Sequence, residues 1–241
     1  MKVSEYVRNT IDRFPNGYIF TSVDFTNKVN NGAALIKALN RLAASGRIVK
    51  LTKGKYYKPE KSPFGDLPPD QYQVVKDLLE RDGKVVGYLT GLSIYNKLGL
   101  TTQVGSTIQI GKQEIRSPFT RGKYTISFVK QKNIITKENT PLLQLLDVLR
   151  YIKKIPDAKP EKNIPLVKHL LSTLSDQQQE TMVRLALKYP PSTRALLGAV
   201  LSDMERGNIT ENLKKSLNPI TVYNIPGAST VLCSASEWGI R

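Results

Sequence analysis

The sequence predicts an α+β protein in three parts: short helices with a hairpin, then a mixed segment with a small, mostly antiparallel sheet, then a helical region. Three observations predict this fold class. A basic stretch without acidic residues, between Phe25 and Pro59, carries a helical pattern followed by a hairpin pattern. Segments rich in β-branched and aromatic residues lie between residues 84 and 129. From Ile164 onward the apolar residues recur at helical spacing.

The first two helices are predicted from short apolar patterns. Apolar residues at four-residue spacing from Val3 to Phe14 predict a helix over Ser4–Phe14, which stops at the turn sequence Pro15-Asn16-Gly17. A shorter middle helix is predicted over Ser22–Val29, with Ser22 as its cap.

A third helix is predicted over Ala33–Ala44. Its buried face is marked by four residues at three- and four-residue spacing: Leu35, Ala38, Leu39 and Leu42. Asn30 or Asn31 can cap its N-terminus, and Gly46 suits the left-handed position after its end. The helix is therefore bounded at both ends.

A hairpin is predicted directly after the third helix. Arg47–Leu51 alternates polar and apolar residues, Thr52–Lys55 has turn composition, and Tyr56–Lys58 forms the returning strand. Three short helices and a basic hairpin are the parts of a winged helix-turn-helix. We therefore predict such a domain over residues 1–60, with the hairpin as its wing.

The charge of residues 1–60 is one-sided. They hold eleven Lys and Arg residues and four acids, a formal balance of +7. The alternative interpretation is that this charge merely solvates the surface of a small helical domain. Such a surface usually interleaves both signs, whereas acids are absent here where the recognition helix and wing are predicted.

This pattern predicts contacts with double-stranded DNA. The candidate DNA-binding residues are Lys28, Asn31, Ala34, Lys37, Arg41, Arg47, Lys50, Lys53 and Lys55. The four from Asn31 to Arg41 would lie in the major groove, where small residues allow close approach and the cations reach base edges. Lys50, Lys53 and Lys55 would lie on the flanking backbone or minor groove.

Several prolines with little apolar pattern between them predict a connection to a second domain at residues 60–68. An α+β domain is predicted over residues 68–157. Its predicted helices are Asp70–Asp82, Thr90–Leu100 and Pro141–Ile155, and its predicted strands are Lys84–Leu89, Ser106–Gly111, Gln113–Arg116 and Tyr124–Val129.

A C-terminal helical region is predicted over residues 163–218, packed on the second domain. Its predicted helices are Leu166–Leu174, Asp176–Tyr189, Ser192–Arg206 and Thr210–Leu217. Ser175, followed by Asp176-Gln177-Gln178, resembles a capping box, and Ser192 is predicted as another cap. Residues 219–241 lack periodicity and are predicted to be an extended or partly mobile tail.

The composition of the chain indicates which kinds of partner and compartment to expect. The formal charge of +16 and the pI near 9.8 imply an anionic partner, either nucleic acid or an acidic protein or membrane surface. No segment is apolar enough to span a bilayer, and the charged N-terminus does not suit a secretory signal. A single cysteine, Cys233, excludes an intramolecular disulfide. We therefore expect a cytoplasmic protein.

Residues that carry enzyme chemistry are sparse. The lone His169 and Cys233 cannot assemble a metal site, and no catalytic pair is evident. The glycines of Gly83–Gly91 match no phosphate-binding motif. Glu114 has no clustered carboxylate partners of the kind a metal-dependent nuclease needs. We expect a binding protein, not an enzyme, without catalytic residues, cofactor or metal.

Two segments resemble a known family. The run Leu35–Tyr57 resembles the winged-helix domain of AbiEi-like antitoxins, from abortive-infection (type IV) toxin–antitoxin systems of bacteria, and of a related uncharacterised family. The run Tyr88–Thr101 is similar to the helix of that family's second domain, which ends in Gly-Leu-Thr. The resemblance covers roughly residues 1–155.

The resemblance implies an antitoxin that represses its own promoter through the winged helix. It also implies a second domain that neutralises a nucleotidyltransferase-like toxin, with or without direct binding, and it brings no catalytic residue. The family pattern does not extend to the helices after Ile164.

Two questions stay open at this point. The basic surface could instead be a protein-interaction module that binds an acidic partner, such as the toxin itself. Winged helices often bind inverted repeats as homodimers, but residues 1–60 carry no dimer signature, and two such domains could equally bind side by side. The C-terminal helices could form a dimer interface or pack within the chain.

Overall fold

The computed structural model describes residues 2–241 and has a mixed α+β fold, as predicted. The chain divides into two compact units. The first contains the residues up to Asp77 together with Phe119–Tyr124, and the second contains Leu78–Pro118 and Thr125–Arg241. The boundary predicted at residues 60–68 therefore falls inside the first unit.

The first unit begins with helices and a small sheet. Its elements are α1 (Val3–Arg13), β1 (Ile19–Thr21), a 3₁₀ helix (Ser22–Phe25), α2 (Gly32–Ala44), β2 (Val49–Thr52), β3 (Lys55–Tyr57), β4 (Glu60–Ser62), β5 (Gly65–Leu67) and α3 (Gln71–Leu79), whose last two residues belong to the second unit. The order β1-β3-β2 forms an antiparallel three-stranded sheet.

This unit has its own hydrophobic core. The buried side chains are Val7, Ile11, Phe20, Phe25, Val29, Leu35, Ala38, Leu39, Ile48 and Tyr56. The apolar faces predicted for the first and third helices point into this core. Burial of these faces against the sheet stabilises both helices, which are too short to persist alone in water.

The middle helix is shorter than predicted. It is one 3₁₀ turn over Ser22–Phe25, capped by Thr21 instead of Ser22. The Thr21 hydroxyl accepts from the Val23 N–H (3.2 Å), and the Asp24 carboxylate accepts from the Thr21 N–H (2.7 Å). Thr21 is also the last residue of strand β1, a strand that was not predicted. Because β1 pairs with β3, the predicted hairpin is part of a three-stranded sheet.

The segment predicted as a connection forms a second hairpin, β4–β5. The Ser62 hydroxyl donates to the Gly65 carbonyl (2.7 Å) and accepts from the Phe64 N–H (3.2 Å), while Gly65 has a φ of +111° that favours glycine. The strands expose most of their residues and so lack the apolar alternation that predicts a strand.

The remaining elements follow in chain order. They are β6 (Glu80–Arg81), β7 (Lys84–Val85), β8 (Gly87–Thr90), α4 (Leu92–Lys97), β9 (Thr107–Lys112), β10 (Phe119–Arg121), β11 (Tyr124–Lys130), α5 (Thr140–Tyr151), α6 (Pro160–Ser172), α7 (Asp176–Ala186), α8 (Pro191–Ser202) and α9 (Glu211–Lys215), with 3₁₀ helices at Ile152–Lys154, Gly207–Ile209, Ala228–Thr230 and Ser236–Trp238.

In the second unit, three strands lie side by side in the order β11-β9-β8. β8 and β9 are antiparallel, as predicted, but β9 and β11 are parallel, with Thr107 opposite Thr125. The strand predicted at Gln113–Arg116 is absent, and the chain there is irregular and exposed. Because a parallel pair requires the chain to cross back, residues 113–118 are part of this crossover.

The helices of the second unit share a large core. Helix α5 buries seven of its residues and α8 buries eight. Ser175 forms the predicted capping box of α7, accepting from the Gln178 N–H (3.3 Å) and donating its own N–H to Gln178 Oε1 (2.9 Å). Ser192 is not a cap, because α8 already begins at Pro191.

The segment from Ile220 to Arg241 is not an extended or mobile tail, so that prediction was wrong. Its apolar side chains belong to the second unit's core: Tyr223, Ile225, Ala228, Leu232, Ala235, Trp238 and Ile240. A Cβ atom placed on Gly198 of α8 would lie 2.2 Å from the Trp238 ring, so the two are in close contact. Among the described residues, no helix combines the length and apolarity needed to cross a membrane.

Candidate nucleic-acid interface

Helix α2 is fixed at both ends by the residue types that the sequence places there. Asn31 Oδ1 accepts a hydrogen bond from the Ala34 N–H (3.0 Å), so Asn31 and not Asn30 is the N-cap. Gly46 follows the helix with a φ of +69°. Since the Asn31 oxygen caps the helix, it is engaged within the protein, and only its NH₂ group can serve the predicted DNA contact.

The outer face of α2 carries basic and small side chains and is exposed to solvent. A shallow groove on this face is lined by Ala33, Ile36, Lys37, Asn40, Arg41 and Ala44. Lys37 and Arg41 lie one turn apart and are exposed, and Ile36, which lines the same groove, is 53% exposed. Ala34, in the first turn, is half-buried beside this groove.

Asn40 is a member of this face that the candidate set omits. The Tyr56 hydroxyl of β3 donates to Asn40 Oδ1 (3.0 Å), and the Tyr56 ring stacks on Phe20 with centroids 6.3 Å apart. This bond orients the Asn40 carboxamide and connects the sheet to α2. The sequence does indicate this position, because Asn40 lies three residues after Lys37 and therefore on the same face of the helix.

The basic residues of the hairpin differ in how far they are free to contact a ligand. Lys50 and Lys53 are exposed. Lys55 is half-buried, and its Nζ lies 2.8 Å from an Asp77 carboxylate oxygen, which Arg121 also contacts. Burial opposes ionisation of Asp77, but hydrogen bonds from Arg121 and Lys55 outweigh it and lower the Asp77 pKa. Lys55 is therefore engaged within the first unit.

Arg47 is likewise engaged. Its Nη2 donates to both carboxylate oxygens of Asp12, at 3.0 and 2.9 Å. Lys58 Nζ donates to the backbone oxygens of Asp12 and Phe14, at 2.9 and 3.0 Å, at the end of α1. Arg47 and Lys58 thus hold the hairpin against α1.

The candidate cations therefore fall into two groups. Five are exposed and form no ion pair within residues 2–241: Lys28, Lys37, Arg41, Lys50 and Lys53. Arg47 and Lys55 are the two that pair with carboxylates. The structure brings the exposed cations of α2 and the hairpin into one unit that has no acidic residue between Phe25 and Pro59.

The isolated His169 and Cys233 are both exposed, on α6 and in the C-terminal segment. Within the described part of the chain, no group of three or more His, Cys, Asp or Glu side chains could hold a metal ion.

Comparison with known proteins gives a family for this chain. The model of a family of unknown function, DUF6088, matches residues 6–179. The chain belongs to this family. The DUF6088 match begins within α1, includes the whole basic face of α2 and the hairpin, and ends within α7, before α8 and the C-terminal segment.

The fold is also similar to a solved structure. The crystal structure of the RV2827C protein from Mycobacterium tuberculosis aligns with a TM-score of 0.60 and 15% sequence identity, covering 94% of this chain and 85% of that one. At this identity the likeness shows a shared fold. No curated protein matches the sequence.

Proposed function

We propose that this DUF6088 protein is a DNA-binding transcriptional regulator whose first unit is a winged helix-turn-helix. The observation that carries the proposal is the exposed face of α2, where Lys37 and Arg41 line a groove together with small residues and where, among the described residues, no acidic side chain lines that groove. Such a face combines electrostatic attraction to DNA with room for the helix backbone to approach the bases.

The dimensions of α2 suit the major groove. A helix about 10–12 Å across fits a groove roughly 12 Å wide. Ala33 and Ala44 let the backbone lie close to the groove floor, and Ile36 supplies an apolar contact for a thymine methyl group. Lys37 and Arg41 then reach guanine acceptors or phosphates, and Asn40, oriented by Tyr56, is in position to read a base edge.

The hairpin supplies the sequence-independent part of binding. Lys50 and Lys53 of the wing and Lys28 before α2 would contact phosphates on either side of the groove. Arg47 and Lys55 serve instead to position the hairpin, through Asp12 and Asp77. This division leaves five exposed cations for double-stranded DNA.

We further propose that the regulator is the autorepressing antitoxin of an AbiEi-like toxin–antitoxin system in the bacterial cytoplasm. The support is the resemblance of Leu35–Tyr57 and Tyr88–Thr101 to that family. The DNA target would be the protein's own promoter, and the second unit would neutralise a nucleotidyltransferase-like toxin.

The test is a gel-shift titration of the full chain on its own promoter, against a scrambled duplex of equal length. We expect a preference of about a hundredfold or more at roughly physiological salt. If about three to five phosphates are neutralised, log K should fall against log salt with a slope of roughly −3 to −4.5. A flat salt response or equal weak binding to both duplexes would contradict the proposal.

A second candidate function is that the same basic face docks on an acidic protein, such as the toxin. The observation that favours it is Ile36, an exposed apolar side chain that lines the same groove as Arg41, because interface cores combine apolar residues with arginine. Both complexes would be salt-sensitive. Co-expression with the toxin followed by size-exclusion chromatography separates them, since only the second candidate requires Ile36→Glu to release the toxin.

A further inference from the structure

The second unit contains a basic cleft that is separate from the α2 face. Its walls come from the end of β11, the last turn of α5 and the α7–α8 connection, and its volume is about 510 Å³. Five cationic side chains line it: Lys130, Lys132, Arg150, Lys188 and Arg194. No acidic side chain is among the residues that line the cleft.

Among the described residues, the cations of the cleft form no salt bridge, although the charge of Arg150 acts on the buried carboxyl group of Asp147 and opposes the rise in its pKa. Within residues 2–241, none of the five forms an ion pair. The Arg150 guanidinium lies over the Tyr151 ring, 5.1 Å from its centroid. Arg194 Nη1 donates to the Ser216 carbonyl (2.9 Å), which fixes the guanidinium, while its buried Nε has no hydrogen-bond partner among the described residues.

A buried polar network holds two neutral residues of the cleft. Gln131 Nε2 donates to the hydroxyls of Tyr189 and Tyr88, both at 2.8 Å. These hydroxyls in turn donate to the buried carboxylate of Asp147, at 3.0 and 2.8 Å. Because Gln131 and Tyr189 are anchored in this way, the cleft is rigid on that side and its shape exists before any ligand arrives.

We propose that this cleft binds a small phosphorylated ligand carrying several phosphates, of the nucleoside triphosphate class. Five cations that line one concave site and form no salt bridge within residues 2–241 match a ligand with three or four negative charges. Leu187, Pro190 and Pro191 give the same cleft an apolar wall against which a base can pack. The residues involved all lie in the second unit, so the proposal goes beyond DNA binding by the first.

The shape of the site favours a small ligand over a nucleic acid. Its volume lies within the range of roughly 300–1,000 Å³ that is usual for small-molecule sites. A single-stranded nucleic acid needs cations along an extended groove and aromatic faces for successive bases. Here Tyr189 is the one aromatic residue of the lining, and it is buried and hydrogen-bonded to Asp147.

The test is calorimetric titration of the full chain with inorganic triphosphate and, separately, with ATP, at about physiological salt. We expect saturable one-to-one binding of both, tighter for ATP because of the apolar wall. The variant Lys132→Gln/Lys188→Gln removes two exposed ammonium groups. Loss of such charge-assisted contacts should weaken triphosphate binding by roughly tenfold to a hundredfold.

The control variant is Lys97→Gln/Lys162→Gln, which removes the same charge from exposed positions outside the cleft. It should bind triphosphate as the unaltered protein does. Equal weakening in both variants, or binding that fails to saturate, would reduce the effect to the net charge of +16 and overturn the proposal. Loss of triphosphate binding in Lys37→Gln/Lys53→Gln would assign it to the first unit and overturn it as well.

Discussion

Lys37 and Arg41 are one helical turn apart on the exposed side of α2, and neither has an acidic partner within residues 2–241. Charged groups that reach base edges affect specificity, whereas groups on phosphates affect affinity for every sequence. Lys37 lines the groove on α2, and under the proposed function we expect it to belong to the first group.

We predict that Lys37→Ala weakens binding to the preferred promoter site by about 1–3 kcal/mol and blurs preference at one or two base positions. Gel shifts on duplexes with single base changes measure both effects. Lys97→Ala, an exposed lysine of α4 in the second unit, is the control and should leave binding unchanged. An equal loss on every sequence would instead assign Lys37 to a phosphate.

Asp147 is a second residue whose chemistry has a measurable consequence. Its side chain is fully buried in α5, and burial raises its pKa, although hydroxyls of Tyr88, Thr90 and Tyr189 donate to the carboxylate and oppose the rise. With a folded-state pKa above the unfolded value of about 3.9, the native state binds more protons between the two values. Stability contributed by Asp147 is therefore lost as pH rises toward the folded-state pKa.

We predict that Asp147→Asn removes a component of the unfolding free energy that falls with rising pH above about 4. Urea unfolding at several pH values, followed by the fluorescence of Trp238 in the same unit, measures it. Asp203→Asn is the control, because the pKa of Asp203 is shifted in the opposite direction and its effect on stability has the opposite pH dependence. Burial opposes ionisation of Asp203 as well, but hydrogen bonds from Ser234 and Cys233 lower its pKa, so its contribution is lost as pH falls. An unchanged pH profile in Asp147→Asn would contradict the raised pKa.

At the scale of elements, the β2–β3 hairpin acts through charge. Lys50 and Lys53 are exposed, and Arg47 and Lys55 hold the hairpin in place through Asp12 and Asp77. Its contribution to DNA binding is therefore expected to be independent of base sequence, in contrast to that of α2.

We predict that Lys50→Glu/Lys53→Glu weakens binding to promoter and scrambled DNA by the same factor and flattens the salt slope by about two. Fluorescence anisotropy at four or five salt concentrations gives both quantities. Lys97→Glu/Lys162→Glu makes the same change of net charge in the second unit and should have a much smaller effect. A selective loss on the promoter alone would mean that the hairpin reads bases.

Elements with a strong local signal were predictable from the sequence. The cap Asn31, the apolar face of α2 and Gly46 depend on neighbours within a few residues, and so does the capping box at Ser175. The basic face of the candidate site follows from the same helical spacing. The engagement of Arg47 and Lys55 was not predictable, because Asp12 and Asp77 lie 35 and 22 residues away in sequence.

Features that depend on distant partners were missed, among them one short strand and one strand pairing. Strand β1 has three residues and exists because β3 pairs with it, and β9 pairs in parallel with β11 across a long crossover. The C-terminal segment is built from turns and 3₁₀ helices, so its buried residues follow no helical or strand period. Its burial can be seen only in the folded structure, where its side chains form part of the second unit's core.

At the scale of the molecule, each unit has its own hydrophobic core. The core of the second unit takes in α5, α7, α8 and the C-terminal segment, whose Trp238 lies 4% exposed against Gly198. The first unit's core is formed by residues between Val7 and Tyr56. A change confined to the C-terminal segment should therefore destabilise the second unit and leave the α2 face intact.

We predict that Trp238→Ala lowers the unfolding free energy of the second unit by about 3–5 kcal/mol, because it leaves a large cavity beside α8. Urea unfolding followed by far-UV circular dichroism measures this loss, and Val222→Ala, at a 51% exposed position of the same segment, should change stability little. DNA binding by Trp238→Ala at low temperature should be retained, since Trp238 belongs to the other core. A loss below about 1 kcal/mol would mean that the segment contributes little packing, whereas loss of DNA binding in a folded variant would mean that the second unit supports the α2 face.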